Sequence, residues 1–229
     1  MSVDIIIPIY NGIEFLDELM SSINDQTYTN WVSHIGVNGH PLNSTIYQQI
    51  CAKYSSHPKV KIYDLGPLEG RKSQACNLLL EKCTGVYICL VDVDDKWGAT
   101  KLDEQLLYIC DNDVVGTVCQ YFGDRFDFPT IPLGDISKYD FFSVNPIINS
   151  SFMAKRSVFV EKNIRWNEAN TVGLEDYEMW LDCRYKHNLK MFNINDVLTF
   201  HRIHRTSSFN GSNHNYVPEF LLQQRAKYS

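Results

Sequence analysis

A short apolar run, Val3–Ile9, opens the chain and has the length and composition of a buried strand. Asn11, Gly12, Ile13 and Glu14 follow as a capping box, with Asn11 as N-cap and Glu14 reaching back. Phe15, Leu16, Leu19, Met20 and Ile23 then fall on one helical stripe. The alternation repeats. Trp31–Val37 predicts a second strand, and Ile46, Ile50, Cys51 and Tyr54 a second amphipathic helix introduced by Asn43 or Ser44. Val60–Tyr63 predicts a third strand, and Ser73–Cys83 a third helix with Ala75, Cys76, Leu79 and Cys83 inward. Val86–Val91 is almost unbroken in its apolarity, as expected of a strand buried on both faces of a parallel sheet.

Alternation of this kind predicts a doubly wound, mostly parallel α/β sheet flanked by helices. Beyond it the pattern gives a helix over Leu102–Cys110 and a strand over Val114–Cys119. Residues 120–146, rich in Asp, Phe, Pro and Tyr, read as a long functional loop. A strand over Ile147–Met153, a helix over Glu175–His187 and short strands over Lys190–Ile194 and Val197–Ile203 complete the expectation. The chain is read as one domain over residues 1–211, with a nucleotide-binding half (1–119) and an acceptor and catalytic half (120–211). A tail, 212–229, carries Tyr216, Val217, Phe220, Leu221 and Leu222 and offers an apolar surface to the core or to a second subunit, as in a homodimer.

Composition narrows the function. The 229 residues include 21 basic and 27 acidic side chains, a formal charge of −6. A chain of this size buries roughly 70% of its unfolded surface, enough for one full core. With 44% hydrophobic and 21% charged residues, disorder is excluded. The acidic balance and the lack of any Lys/Arg run argue against nucleic acid as the main partner. An anionic ligand would need a local device such as a metal or a helix N-terminus. No stretch approaches the ~20 apolar residues of a membrane span. The first residues lack the basic segment of a targeting signal. Seven cysteines with no Cys-x-x-Cys pattern indicate a reducing compartment, the cytoplasm, without disulfides or a zinc site. The sequons at Asn43, Asn149 and Asn210 are then chance matches.

In such sheets ligands gather beyond the carboxyl ends of the strands, which directs attention to five segments. In Ile88–Trp97 an apolar strand runs into three carboxylates, Asp92, Asp94 and Asp95. If strand geometry persists to Asp94, Asp92 and Asp94 share a face. Clustered carboxylates are compensated naturally by a hard divalent cation, Mg²⁺ or Mn²⁺, that shares its shell with substrate phosphates. The plainer alternative is that Asp95 caps the next helix and the other two are solvated. Glu175 and Asp176 open a helix, which suits the macrodipole but also suits a base that takes a proton from a hydroxyl. Glu175 would raise the pKa of Asp176 and the helix terminus would lower it; the sequence leaves the balance open. His201, Arg202, His204 and Arg205 form a cationic cluster suited to an anion or a metal-bound phosphate. Gly66 and Gly70 precede Arg71 and Lys72 at the start of a helix, an arrangement that suits a phosphate but is also common on surfaces.

The order and spacing of Ile5–Asn11, Gly66–Asn77, Val91–Asp95, Gly173–Trp180 and His201–His204 resemble the inverting family 2 glycosyltransferases of the GT-A fold, over Val3 to about Ser208. The resemblance implies a nucleoside-diphosphate-sugar donor, a hydroxyl-bearing acceptor such as a carbohydrate, and a divalent metal. By position it implies that Pro8 and Tyr10 meet the nucleotide base at the first-strand turn, that Asn38 takes the place of a base-binding Asp, and that Arg71 approaches the nucleotide. It further implies that Asp92 lies near ribose and metal, that Asp94 ligates the metal, that Asp176 is the general base, and that His204, with Arg202 beside it, approaches the metal or diphosphate. Asn38 departs from the usual Asp, and His201 from a frequent Tyr. The Gln-x-x-Arg-Trp signature of processive synthases is absent, since Lys162 holds the Gln position before Arg165 and Trp166. A non-processive enzyme is the expectation. The aromatic residues Tyr121, Phe122, Phe126, Phe128, Tyr139, Phe141 and Phe142 are candidates for acceptor stacking or for packing of the loop against the core, and Trp166 and Trp180 for core or pocket wall. Two alternatives come from other classes: a haloacid-dehalogenase-type phosphatase, disfavoured by Lys96 after the DxD, and a nucleotide-sugar-binding module without catalysis, disfavoured by the Glu175–Asp176 pair.

Overall fold

In this computed structural model the described residues are 1–68, 71–170, 173–205 and 217–228. Among them nine strands form one sheet: β1 (Val3–Ile9), β2 (Trp31–Asn38), β3 (Val60–Gly66), β4 (Tyr87–Leu90), β5 (Lys96–Trp97), β6 (Val114–Gly123), β7 (Gly134–Asp135), β8 (Met153–Lys155) and β9 (Met191–Ile203). Their order is β3-β2-β1-β4-β8-β6-β9-β5, with β7 beside β9. The first four are parallel, β8 runs antiparallel between β4 and β6, and β6 and β9 pair in parallel.

The helices are α1 (Leu16–Asn24), α2 (Thr45–Tyr54), α3 (Lys72–Lys82), α4 (Lys101–Tyr108), α5 (Arg156–Glu161), α6 (Glu175–Leu181) and α7 (Val217–Lys227). The strand period of two divides the core into layers. Val3, Ile5, Ile7 and Ile9 of β1 face Leu16, Leu19, Met20 and Ile23 of α1 and Leu102 of α4. Ile6, with Ile88 and Leu90 of β4, faces the layer of α3, α5 and α6, which holds Trp166 and Trp180. Each such fully buried side chain stabilises the fold by roughly 1.5–3 kcal/mol.

Several local expectations are corrected. Asn11 caps nothing: a 3₁₀ turn, Ile13–Phe15, precedes α1, and its N-cap position is Gly12 at φ 89°. That left-handed conformation suits glycine, and a Cβ there would also stand 3.0 Å from Val93. Ser44 rather than Asn43 caps α2, accepting from the Tyr47 N–H at 3.3 Å. The two short strands expected near the C-terminus are one, β9; Asn195 and Asp196 bulge outward where the register against β6 shifts, so their polarity does not end the strand. The strand expected over Ile147–Met153 is mostly absent. Residues Asn149–Ser151 form a 3₁₀ turn, and only Met153–Lys155 enters the sheet. The cause is competition: carbonyls of Ile147, Ser150 and Ser151 that a ladder would use accept instead from the side chains of Trp180, Trp97 and Gln105.

The tail helix α7 packs on its own chain. Phe220 is buried against Tyr177, and Lys227 lies 2.9 Å from Asp182. Gly70, Thr206 to Phe209, the sequon at Asn210 and Tyr216 lie outside the described residues. None of the described helices is long and apolar enough to cross a membrane.

Candidate active site

The carboxyl ends of β1, β2 and β4 open onto one cleft of about 1210 Å³. Its wall includes Pro8, Tyr10, Asn38, Arg71, Asp92, Asp94, Asp176 and His204, each expected from the sequence to serve a site, so carboxylates 84 residues apart in sequence (176 − 92) face a shared space. Arg202 is the one expected site residue that does not line it. Its guanidinium lies between the rings of Phe15 and Phe122, donates to the Asp94 carbonyl at 2.9 Å and pairs with Glu18. It holds the acidic turn from behind.

β4 ends at Leu90, and residues 92–95 form a turn closed by Asp95 N–H to the Asp92 carbonyl at 3.1 Å, so strand alternation does not set the two side chains. Each of the three carboxylates has a different environment. Asp92 lies 2.7 Å from the Lys72 ammonium, and its backbone N–H donates to Ser150 Oγ at 3.0 Å. Asp94 Oδ2 lies 2.9 Å from His204 Nε2. Burial, then the charges of Asp95 and Asp92, push the Asp94 carboxyl above its ordinary range. Asp95, 1% exposed, does not cap α4, which begins only at Lys101. It accepts from His201 Nδ1 at 3.0 Å and from the Arg202 N–H at 2.8 Å. Burial alone would raise the Asp95 carboxyl, but the His201 charge and these hydrogen bonds hold it below the usual range. Burial would likewise lower His201; Asp95, with Asp92 and Asp94 behind it, pushes it up to about 9, so this imidazole is a cation at neutral pH.

Across the cleft Asp176 sits in the first turn of α6. Asn145 Nδ2 donates to its Oδ2 at 3.3 Å and its own helix supplies the Tyr177 N–H to Oδ1 at 2.8 Å. Desolvation, then the neighbouring Glu175 charge, outweigh the Lys72 charge and these hydrogen bonds, and the carboxyl is pushed up to about 6. Lys72 lies 3.8 Å from Glu175 as well as against Asp92, and so links the two acidic groups. Between such partners the half-buried ammonium is held protonated: against the lowering effect of desolvation, its pKa is raised by the charges of Asp92 and Glu175.

An oxygen-rich set with one imidazole and a carboxyl strained by neighbouring negative charge fits a hard divalent cation. Asp94 and His204 already converge, while Asp92 is turned to Lys72. Among the described residues, the three His, Cys, Asp or Glu side chains that gather within 4.8 Å are Asp4, His34 and Cys83, at the opposite end of β1. There Asp4 accepts from the Thr84 and Gly85 N–H groups at 2.6 Å and lies 3.1 Å from His34, a closed hydrogen-bond network.

Of the loop aromatics only Tyr121 lines the cleft. Phe141 is wholly buried, Phe142 stacks on Tyr185, and Phe126 and Phe128 face solvent. The loop offers Pro129, Thr130, Ile131 and Ser143–Asn145 instead. Sequence reasoning named Lys72 only beside Arg71 as a phosphate contact and Asp95 only as part of the acidic cluster or a helix cap, and it passed over Asn145 and Ser150. Asn145 and Ser150 left no signal, because they act through contacts between distant elements.

Sheet order and cleft position are those of the GT-A architecture. The fold is similar to that of Staphylococcus aureus TarS 1–349 in complex with UDP-GlcNAc (TM-score 0.77, 16% identity, covering 100% of this chain and 68% of that one). It is also similar to the mannosyltransferase PcManGT from Pyrobaculum calidifontis in complex with GDP-Man and Mn²⁺ (TM-score 0.67, 16% identity, 99% and 61%). The chain is shorter than both, and spans 60% of a further structure of TarS 1–349. Residues 4–162 match the model of glycosyl transferase family 2, and the chain belongs to that family. Over 219 residues it is 25% identical to the O-antigen biosynthesis glycosyltransferase WbnJ of Escherichia coli, covering 90% of this chain and 81% of WbnJ. Family membership removes the phosphatase alternative.

Proposed function

We propose that this chain moves one sugar from a nucleoside-diphosphate sugar to an acceptor hydroxyl, with inversion and without processive elongation. The observation that carries the reading is the single cleft lined by both Asp94 and Asp176. Pro8, Tyr10, Asn38 and Arg71 form the donor's nucleotide side. Asn38 is 1% exposed and its Nδ2 has no partner among the described residues, a donor available to a base carbonyl or ring nitrogen. Asp94 and His204 would hold a divalent cation, Mn²⁺ or Mg²⁺, with Asp92 beside them on the same turn. When bound, the cation neutralises charge on the departing nucleoside diphosphate. Asp176 accepts the proton of the acceptor hydroxyl as that oxygen attacks the anomeric carbon opposite the leaving group. Holding both substrates in line lowers the barrier further. The Mn²⁺ and GDP-Man of PcManGT and the UDP-GlcNAc of TarS are consistent with such a donor site.

The test is calorimetry and transfer with UDP- and GDP-sugars, with Mn²⁺ or with chelator. Metal-dependent binding is expected in the wild type, weakened about a hundredfold in Asp94→Ala; equal affinity in that variant would remove Asp94 from the metal site.

A further inference from the structure

The turn that leads into β8, residues 146–151, is fastened at almost every carbonyl. Pro146 accepts from Asn193 Nδ2 at 2.8 Å, Ile147 from Trp180 Nε1 at 3.0 Å, Ser150 from Trp97 Nε1 at 2.8 Å and Ser151 from Gln105 Nε2 at 2.9 Å. The Ile148 carbonyl takes both the N–H and the Oγ–H of Ser151, at 2.8 and 2.7 Å. A turn held by donors from four other elements has little freedom to rearrange.

Asn149 sits within this turn, lines the cleft and is 7% exposed, yet neither its Nδ2 nor its Oδ1 has a hydrogen-bond partner among the described residues. Buried amide atoms left unpaired are destabilising, and most buried polar groups are satisfied. Two unpaired atoms of one side chain, on a turn whose neighbouring carbonyls are engaged, mark a group kept for a ligand. Its burial also bars Asn149 from serving as a glycosylation acceptor.

Placement and chemistry indicate which ligand group it meets. On one flank Ser150 Oγ accepts the Asp92 N–H; on the other Asn145 donates to Asp176. Asn149 thus lies on the stretch that joins the diphosphate side of the cleft to the side facing the acceptor. A phosphate would use only Nδ2 and would repel Oδ1, and a cation would use only Oδ1. A ring bearing neighbouring hydroxyls satisfies both, one hydroxyl donating to Oδ1 and another accepting from Nδ2.

We propose that Asn149 reads hydroxyl groups of the donor's sugar ring and so helps to select which nucleotide sugar is used. The inference rests on the donor reading of the cleft given above. Its test is calorimetric titration of wild type and Asn149→Ala with UDP-GlcNAc, UDP-glucose and GDP-mannose, and with UDP and GDP, all with Mn²⁺. For the nucleotide sugar that the wild type binds best, Asn149→Ala is expected to weaken binding about ten- to a hundredfold. Affinity for the matching free diphosphate should stay within about twofold, and the Tm of the unliganded variant should rise as the unpaired amide is lost. Equal weakening of both ligands, no weakening of either, or a lowered Tm would overturn the role of Asn149 while leaving the donor site standing. Failure of the wild type to bind any of these nucleotides would instead overturn the donor reading and this inference together.

Discussion

Asp95 and Asp176 are carboxylates withdrawn from solvent beside the same cleft, but their surroundings drive them in opposite directions. Asp95 is met by a protonated imidazole and a backbone N–H, and the attraction and hydrogen bonds overcome the cost of burial. Asp176 has an amide and its own helix for partners, with a second carboxylate beside it, and the cost of burial prevails. Asp95 is fixed as an anion that anchors the acidic turn. Asp176 keeps a proton affinity near neutrality, which a proton-accepting group requires. Burial alone therefore does not make a site; the partners supplied by neighbouring elements decide between scaffold and chemistry.

The largest effect expected from breaking this contrast is on turnover. Asp176→Asn should lower kcat by roughly 10²–10⁴-fold with donor affinity nearly intact. The same change should raise the Tm by a few degrees, because it removes a half-buried charge set beside Glu175; both are read by steady-state assay and thermal unfolding. Retained turnover would remove Asp176 from the proton transfer. Asp95→Asn acts on the other member of the pair. It leaves His201⁺ without its counter-charge, and loss of one partner of a buried pair costs about 3–5 kcal/mol, which urea unfolding would register; a variant as stable as wild type would contradict the anchoring role.

The pH response should be smaller and of opposite sign at the two sites. Asp176 must be ionised to accept a proton, so kcat/KM should fall tenfold per unit below about pH 6 and be level above it. The contribution of Asp176 to stability has the sign of a raised carboxyl: present below the unfolded value of ~3.9 and lost as pH rises through about 6. That of Asp95 is present above the same unfolded value and lost as pH falls through its lower folded pKa. A pH–rate profile flat down to pH 5 would contradict the assignment.

What was legible in the sequence follows the same division. The parallel half could be read because each strand and helix carries its own period, and the predicted α3 and β4 lie within a residue or two of those found. The DxD was visible as carboxylates after a buried strand, and Asp176 as an acidic helix start. The pairing of Lys72 with Asp92, of His201 with Asp95 and of Asn145 with Asp176 was not, since each joins residues 20 to 106 positions apart. Asn11 misled because Gly12, in a left-handed conformation, took over the turn. The apolar stretch Ile147–Met153 looked like a strand because periodicity does not reveal that side chains elsewhere will claim its carbonyls.

The most direct measurement is a carbon-13 NMR titration of the aspartate side-chain carboxyls, assigned with Asp95→Asn and Asp176→Asn. Asp176 is expected to titrate at about 6 while Asp95 remains ionised to below the usual carboxylate range. Titration of both together near ~4, the value of an unperturbed carboxylate, would contradict the division of the cleft into an anchoring anion and a proton acceptor.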